Sequence, residues 1–145
     1  MLSIAYVSVA TAPLAADEIA ALLTQARANN ERDGITGALL YHRERFIQIV
    51  EGDDEIVRER FATISTDPRH RSVQMMREKR ILERQFPQWT MGFREVSDES
   101  VKQLAGFEDF FRAEWTAAHR ARRERSPAVS RVAGRVLAAA RLISA

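Results

Sequence analysis

Leu2-Ser3-Ile4-Ala5-Tyr6-Val7-Ser8-Val9, a short apolar run interrupted by Ser3 and Ser8, reads as a β-strand, in which alternate residues share a face. Ile4, Tyr6 and Ser8 share one face; Ala5, Val7 and Val9 share the other. Pro13 marks a turn, and the period then changes. Over residues 16–30, Ile19, Leu22, Leu23 and Ala26 form a helical stripe, with Asp17 and Glu18 in the first turn, where the helix dipole favours acids. Asp33-Gly34 reads as a turn. Residues 35–41 and 46–51 are two strands joined by the polar His42-Arg43-Glu44-Arg45, a β-hairpin. Gly52-Asp53 opens a second helix, with Asp53 as its cap and Ile56, Phe61 and Ile64 toward the core. Asp67-Pro68 ends it. Residues 73–82 are extended, and residues 89–96 form a last strand with Trp89, Met91 and Phe93 on one face. The order β-α-β-β-α-β-β predicts an α+β, ferredoxin-like mixed sheet with two helices on one face.

After Ser97 the pattern is helical again. Phe107, Phe110, Phe111, Trp115 and Ala118 make an aromatic stripe; Ser126-Pro127 reads as a cap with proline at the first helical position. Val129, Val132, Val136, Ala140 and Ile143 make a second stripe. These helices are expected to cover the free sheet face of Ala5, Val7, Ile47 and Ile49, to form a dimer seam, or both. The chain thus divides into a domain of residues 1–96 and a helical extension of residues 97–145.

Composition narrows the function. Hydrophobic content of 46% and charged content of 29% over 145 residues describe a folded domain. There is no cysteine, hence no disulfide, thiolate metal site or cysteine nucleophile, which fits a cytoplasmic protein. No apolar run is long enough to span a membrane. Residues 1–96 carry 13 Lys and Arg against 14 Asp and Glu, and residues 97–145 carry 9 against 6. The basic excess sits in the tail and reads as a solvated helix face rather than a nucleic-acid surface.

The hardest residue to explain by packing is Gln48, inside the apolar strand Phe46-Ile47-Gln48-Ile49-Val50-Glu51-Gly52. A buried carboxamide left without partners costs roughly 1–3 kcal/mol. A second polar residue or a ligand is therefore expected to meet it. An amide carries both donor and acceptor and reverses polarity by turning or tautomerising. Tyr6 and Ser8 can point the same way, with Asn30 at the end of the first helix and Trp89 and Met91 on the last strand. Taken singly, Tyr6, Trp89 and Met91 also read as core, and Asn30 as a helix cap. His42 and His119 read as surface residues. Arg69 and His70 could meet a phosphate or lie in a solvated turn. There is no nucleophile triad, no metal-ligand spacing and no glycine-rich phosphate loop. Carboxamides and a phenol suit a neutral heterocycle with its own donor and acceptor edge, such as a flavin ring; Leu22, Phe46 and Ile64 could flank it.

Five segments in order resemble the BLUF domains, sensors of blue light using FAD. They are Tyr6-Val7-Ser8, residues 29–37, residues 46–52, Asp67-Pro68-Arg69-His70 and residues 86–91. The two tail helices resemble those of short, stand-alone members. The resemblance implies a photoreceptor and not an enzyme, with FAD held non-covalently between the two helices and FMN or riboflavin as substitutes. It implies that Tyr6 donates an electron and proton to the excited flavin, and that Gln48 bridges Tyr6 and the flavin. Asn30 would hold the C4=O/N3 edge; Ser8, Trp89 and Met91 would form the shell around Gln48; Arg69 and His70 would lie toward the ribityl-phosphate side. Rearrangement of Gln48 would leave a reversible red-shifted state, passed to a downstream effector protein by a homodimer or higher oligomer. Asn29 departs from the histidine some members carry. Other readings are a flavin-free ferredoxin-like interaction module, an acyl-phosphate hydrolase, for which Ala10-Thr11-Ala12-Pro13 lacks the needed arginine, and an RNA-binding sheet, for which the free face lacks aromatics.

Overall fold

The computed structural model describes residues 1–95. The expected tail helices, their two stripes and His119 lie outside the described residues. The elements are β1 (Leu2–Ala10), α1 (Ala16–Asp33), β2 (Thr36–His42), β3 (Arg45–Gly52), α2 (Asp54–Thr66), β4 (His70–Arg80) and β5 (Gly92–Glu95). The strands form one sheet in the order β4-β1-β3-β2-β5. Neighbours are antiparallel except β2 and β5, which run parallel. This is the ferredoxin-like α+β arrangement with a mixed sheet that the sequence predicts.

Both helices pack on the face that carries Ile4, Tyr6, Phe46 and Val50. Ile19 and Leu23 of α1 and Val57 of α2 are buried there, with Leu22, Phe61 and Ile64 packed around them. Helix α1 runs one turn beyond the expected end and stops at Gly34. This glycine has φ 65° and donates its N–H to the Asn30 and Glu31 carbonyls, a left-handed cap that other residues adopt only with strain. Helix α2 starts as expected: the Asp53 carboxylate accepts from the Glu55 N–H at 3.1 Å. Its buried residue is Val57, not Ile56, which is exposed.

The hairpin closes in two residues, Arg43 and Glu44, with φ of 44° and 65°, the sense of turn whose twist matches the strands it joins. His42 is 5% exposed, which corrects the surface placement expected from its polar neighbours: it is the last residue of β2, inside the sheet. On the opposite sheet face, Ala5, Ala38, Ile49, Phe86 and Trp89 pack together. Strand β5 begins at Gly92, three residues later than expected, so Trp89 precedes the strand. Its indole lies over Gly92, where an added Cβ would meet Trp89 Cε3 at 2.2 Å.

Candidate functional site

A cavity of about 210 Å³ opens between α1, α2 and the sheet. Leu22, Leu39, Phe46 and Ile64 give it apolar walls; Asn29, Asn30, Gln48, Arg69 and His70 give it polar ones. Of the residues expected at a ligand, Asn30, Gln48, Leu22, Phe46, Ile64, Arg69 and His70 are thus brought together. Tyr6 is not part of the wall. It pairs across the β1–β3 ladder with Gln48 and packs edge-on against Phe61 at 5.3 Å.

Tyr6 is fully buried, and its hydroxyl has no hydrogen-bond partner. Burial pushes its pKa well above the usual phenol range, and the nearby Asp67 carboxylate adds to the effect. The phenol is therefore protonated at any physiological pH. Gln48 is 9% exposed and donates from Nε2 to Met91 Sδ at 3.5 Å, a weak bond to a poor acceptor. Asn30 donates from Nδ2 to the Thr90 carbonyl at 2.6 Å. That carbonyl fixes which end of the amide is NH₂, and leaves Oδ1 as the acceptor.

The stretch carrying Met91 is held through successive carbonyls. Trp89 O accepts from Gly37 N at 2.9 Å, Thr90 O from Asn30, and Met91 O from Arg27 Nε at 2.9 Å. Met91 thereby meets Gln48, whereas Trp89 stacks on Phe86 at 5.8 Å on the far face. Sequence alone leaves open which of the two meets Gln48; in this structure it is Met91. The chain turns between them, outside a regular strand, so the two-residue spacing does not put them on one face.

Ser8 also departs from expectation. Its hydroxyl pairs with His70 Nδ1 at 2.9 Å rather than with Gln48. The His70 ring packs edge-on against Phe46 at 5.1 Å. Burial holds its pKa below the usual histidine value; Asp67 opposes that shift and Arg69 assists it. Arg69 is engaged by Asp67 through Nε and through Nη2 at 2.6 Å, and reaches Gln25 at 3.5 Å. Sequence reasoning missed Gln25, Arg60, Thr63 and Asp67, which also line the cavity. Arg60 is ion-paired with Asp33 across the two helices. The helical spacing of Arg60 and Ile64 on α2, continued by Asp67 at its C-cap, was the available signal.

The donor set fits a flavin. Neutral amides face the cavity, the amino groups of Asn30 and Gln48 are engaged by the protein, and a buried phenol hydroxyl lacks a partner one strand away. The family profile described as "Sensors of blue-light using FAD" matches residues 1–92. The chain belongs to the BLUF family. BLUF domains use FAD as their chromophore. Subunit beta of the photoactivated adenylate cyclase of Euglena gracilis is 32% identical over 90 residues, which are 61% of this chain and 10% of that protein. The chain therefore spans about a tenth of the curated relatives it matches. Among solved structures, the BLUF protein BlrB in its dark state is 28% identical with a TM-score of 0.68, over 95% of this chain and 96% of that one. A bacterial light-regulated adenylyl cyclase is 30% identical with a TM-score of 0.65, over 83% of this chain and 35% of that one. No helix among the described residues is long and apolar enough to cross a membrane.

Proposed function

We propose that this chain is a blue-light photoreceptor that binds FAD non-covalently in the cavity between α1 and α2, signals by rearranging Gln48, and is not itself an enzyme. FMN or riboflavin would serve in place of FAD, since the described wall addresses a ring. One observation carries the reading: Gln48, in contact with Met91 Sδ, stands on the strand next to a fully buried Tyr6 whose hydroxyl has no partner.

Leu22, Phe46 and Ile64 would hold the ring faces, and Asn30 Oδ1 would accept from its N3–H edge. Arg69 and His70 close the end of the cavity nearest β4 and would lie toward the ribityl-phosphate side. When bound and excited by blue light, the flavin supplies an oxidant. Tyr6 would be the electron and proton source: its O–H lies beyond the reach of solvent, and the Gln48 carboxamide, opposite it on the neighbouring strand, would carry its proton. Gln48 can take it at Oε1 and release one from Nε2. Turning or tautomerising then exchanges its donor and acceptor ends. Either change alters the contact with Met91 Sδ, and Met91 is continuous with β5. Ser8 keeps His70 in place. Residues 97–145 would carry dimerisation or output to an effector protein in the cytoplasm.

The test is the visible spectrum of the purified protein reconstituted with FAD, in the dark and after blue light. A small red shift that relaxes thermally is expected. Tyr6→Phe should retain flavin and lose the shifted state, and Gln48→Leu should do the same. A spectrum that only bleaches, or a normal photocycle in Tyr6→Phe, would overturn the reading.

A further inference from the structure

Glu51 is 0% exposed, yet it lies outside the cavity. It stands on β3 three residues after Gln48, so alternation puts it on the opposite sheet face. A buried carboxylate is expensive unless hydrogen-bonded, and this one is. Its Oε2 accepts the consecutive N–H groups of Gln85 at 2.8 Å and Phe86 at 3.2 Å, and Oε1 faces the Ser3 hydroxyl at 3.5 Å. Arg84, the next residue back, donates to the Glu51 carbonyl at 3.1 Å, to Thr36 Oγ1 at 2.9 Å and to the Gly34 carbonyl at 2.7 Å. The connection from β4 to β5 is thus fastened at residues 84–86 to the ends of α1, β2 and β3. Five residues later it delivers Met91 to Gln48.

We propose that Glu51 is a positioning residue: the far-face anchor of the β4–β5 connection, which fixes where the Met91 thioether meets Gln48 and confines displacement to the turns between Phe86 and Gly92. This rests on the photoreceptor reading for its light-dependent part only. The cavity end of the connection is held by Asn30 and Arg27 through the Thr90 and Met91 carbonyls, and Asn30 lines the cavity. The far end is held by groups that do not touch it. A change at Gln48 would therefore act on the Met91 end while the far end stays put, and the intervening residues, with Trp89 seated on Gly92 and its carbonyl held by Gly37 N, would take up the movement.

A carboxylate does this well because it carries acceptors and no donor, and so takes two adjacent N–H groups on one oxygen. Glu51→Gln keeps such an oxygen and can turn its NH₂ to Ser3. Glu51→Met keeps the volume and removes the acceptor. Both are tested in the full chain with FAD, by amide hydrogen exchange, the Met91 methyl resonance and the rate of dark recovery. In Glu51→Met, flavin stoichiometry and the red shift are expected to remain. Exchange at Gln85 and Phe86 should rise about tenfold or more, the Met91 resonance should move, and recovery should change at least about threefold. Glu51→Gln should restore all three toward wild type. Wild type itself gives the test should Glu51→Met fail to fold: on illumination the Gln85 and Phe86 amides should keep their dark protection while those of β5 lose it. An unchanged Met91 resonance and recovery in Glu51→Met, or loss of protection at Gln85 and Phe86 in illuminated wild type, would overturn the anchor. Absence of any red shift in wild type would overturn the photoreceptor reading instead, and leaves the dark exchange and Met91 arms intact.

Discussion

Tyr6 is buried like a packing residue, yet its hydroxyl has no partner. An unpaired buried hydroxyl costs roughly 1–3 kcal/mol. Removing it should therefore leave the flavin-free protein no less stable. Tyr6→Phe is expected to raise its unfolding free energy by about 1 kcal/mol, measurable by urea titration, while abolishing the light response. His70 makes a second prediction at this scale. Its folded pKa lies below the ordinary value of 6.5 because burial disfavours the charged ring. The unfolded chain therefore binds more protons in the window below 6.5, and stability rises with pH through that window. His70 costs nothing above it; its destabilisation sets in as pH falls below 6.5 and is complete once pH has fallen through the folded value. Subtracting the pH–stability curve of His70→Gln, whose amide can still meet Ser8, should isolate that slope; a flat difference between about pH 5 and 8 would contradict it.

At the scale of elements, the connection from β4 to β5 is where spacing ceased to be informative. Alternation assigned Tyr6 and Gln48 to one face correctly, because both lie in regular strands. It failed at Trp89 and Met91 because the chain between Phe86 and Gly92 follows hydrogen bonds to Gly37, Asn30 and Arg27 instead of a ladder, and no local pattern announces those partners. Helix α2 shows a milder failure of the same kind. Phe61 and Ile64 pack on the core as expected, but the residue of the first turn that joins them is Val57, four before Phe61, and not Ile56. The cavity wall was readable as far as its apolar residues and amides; Asp67 and Arg60 escaped because charged residues usually face water. Two predictions belong here. Gly92→Ala should push the rigid Trp89 ring from its seat, lowering stability by about 1–3 kcal/mol and shifting the Trp89 fluorescence to longer wavelength. Asp53→Ala should cost about 1 kcal/mol in thermal unfolding without changing the flavin spectrum.

For the whole molecule, the helices leave a gap over the sheet that a ligand completes, so folding and binding are linked. FAD present at about a hundred times its dissociation constant should add roughly 2.7 kcal/mol to stability, seen as a concentration-dependent rise in melting temperature. The order β4-β1-β3-β2-β5 has a further consequence. Among the described residues, Tyr6 and Gln48 stand on β1 and β3, flanked by strands on both sides, whereas β5 pairs with β2 alone and forms a margin of the sheet. Spontaneous opening at the centre requires breaking the whole sheet, while the margin lifts at little cost. On the proposed photoreceptor reading, the part that detects would therefore be quiet and the part that reports loose. A light meter built this way has a low dark count: thermal agitation that stirs the pointer does not reach the detector, and the rate of false triggering is tied to the stability of the entire domain.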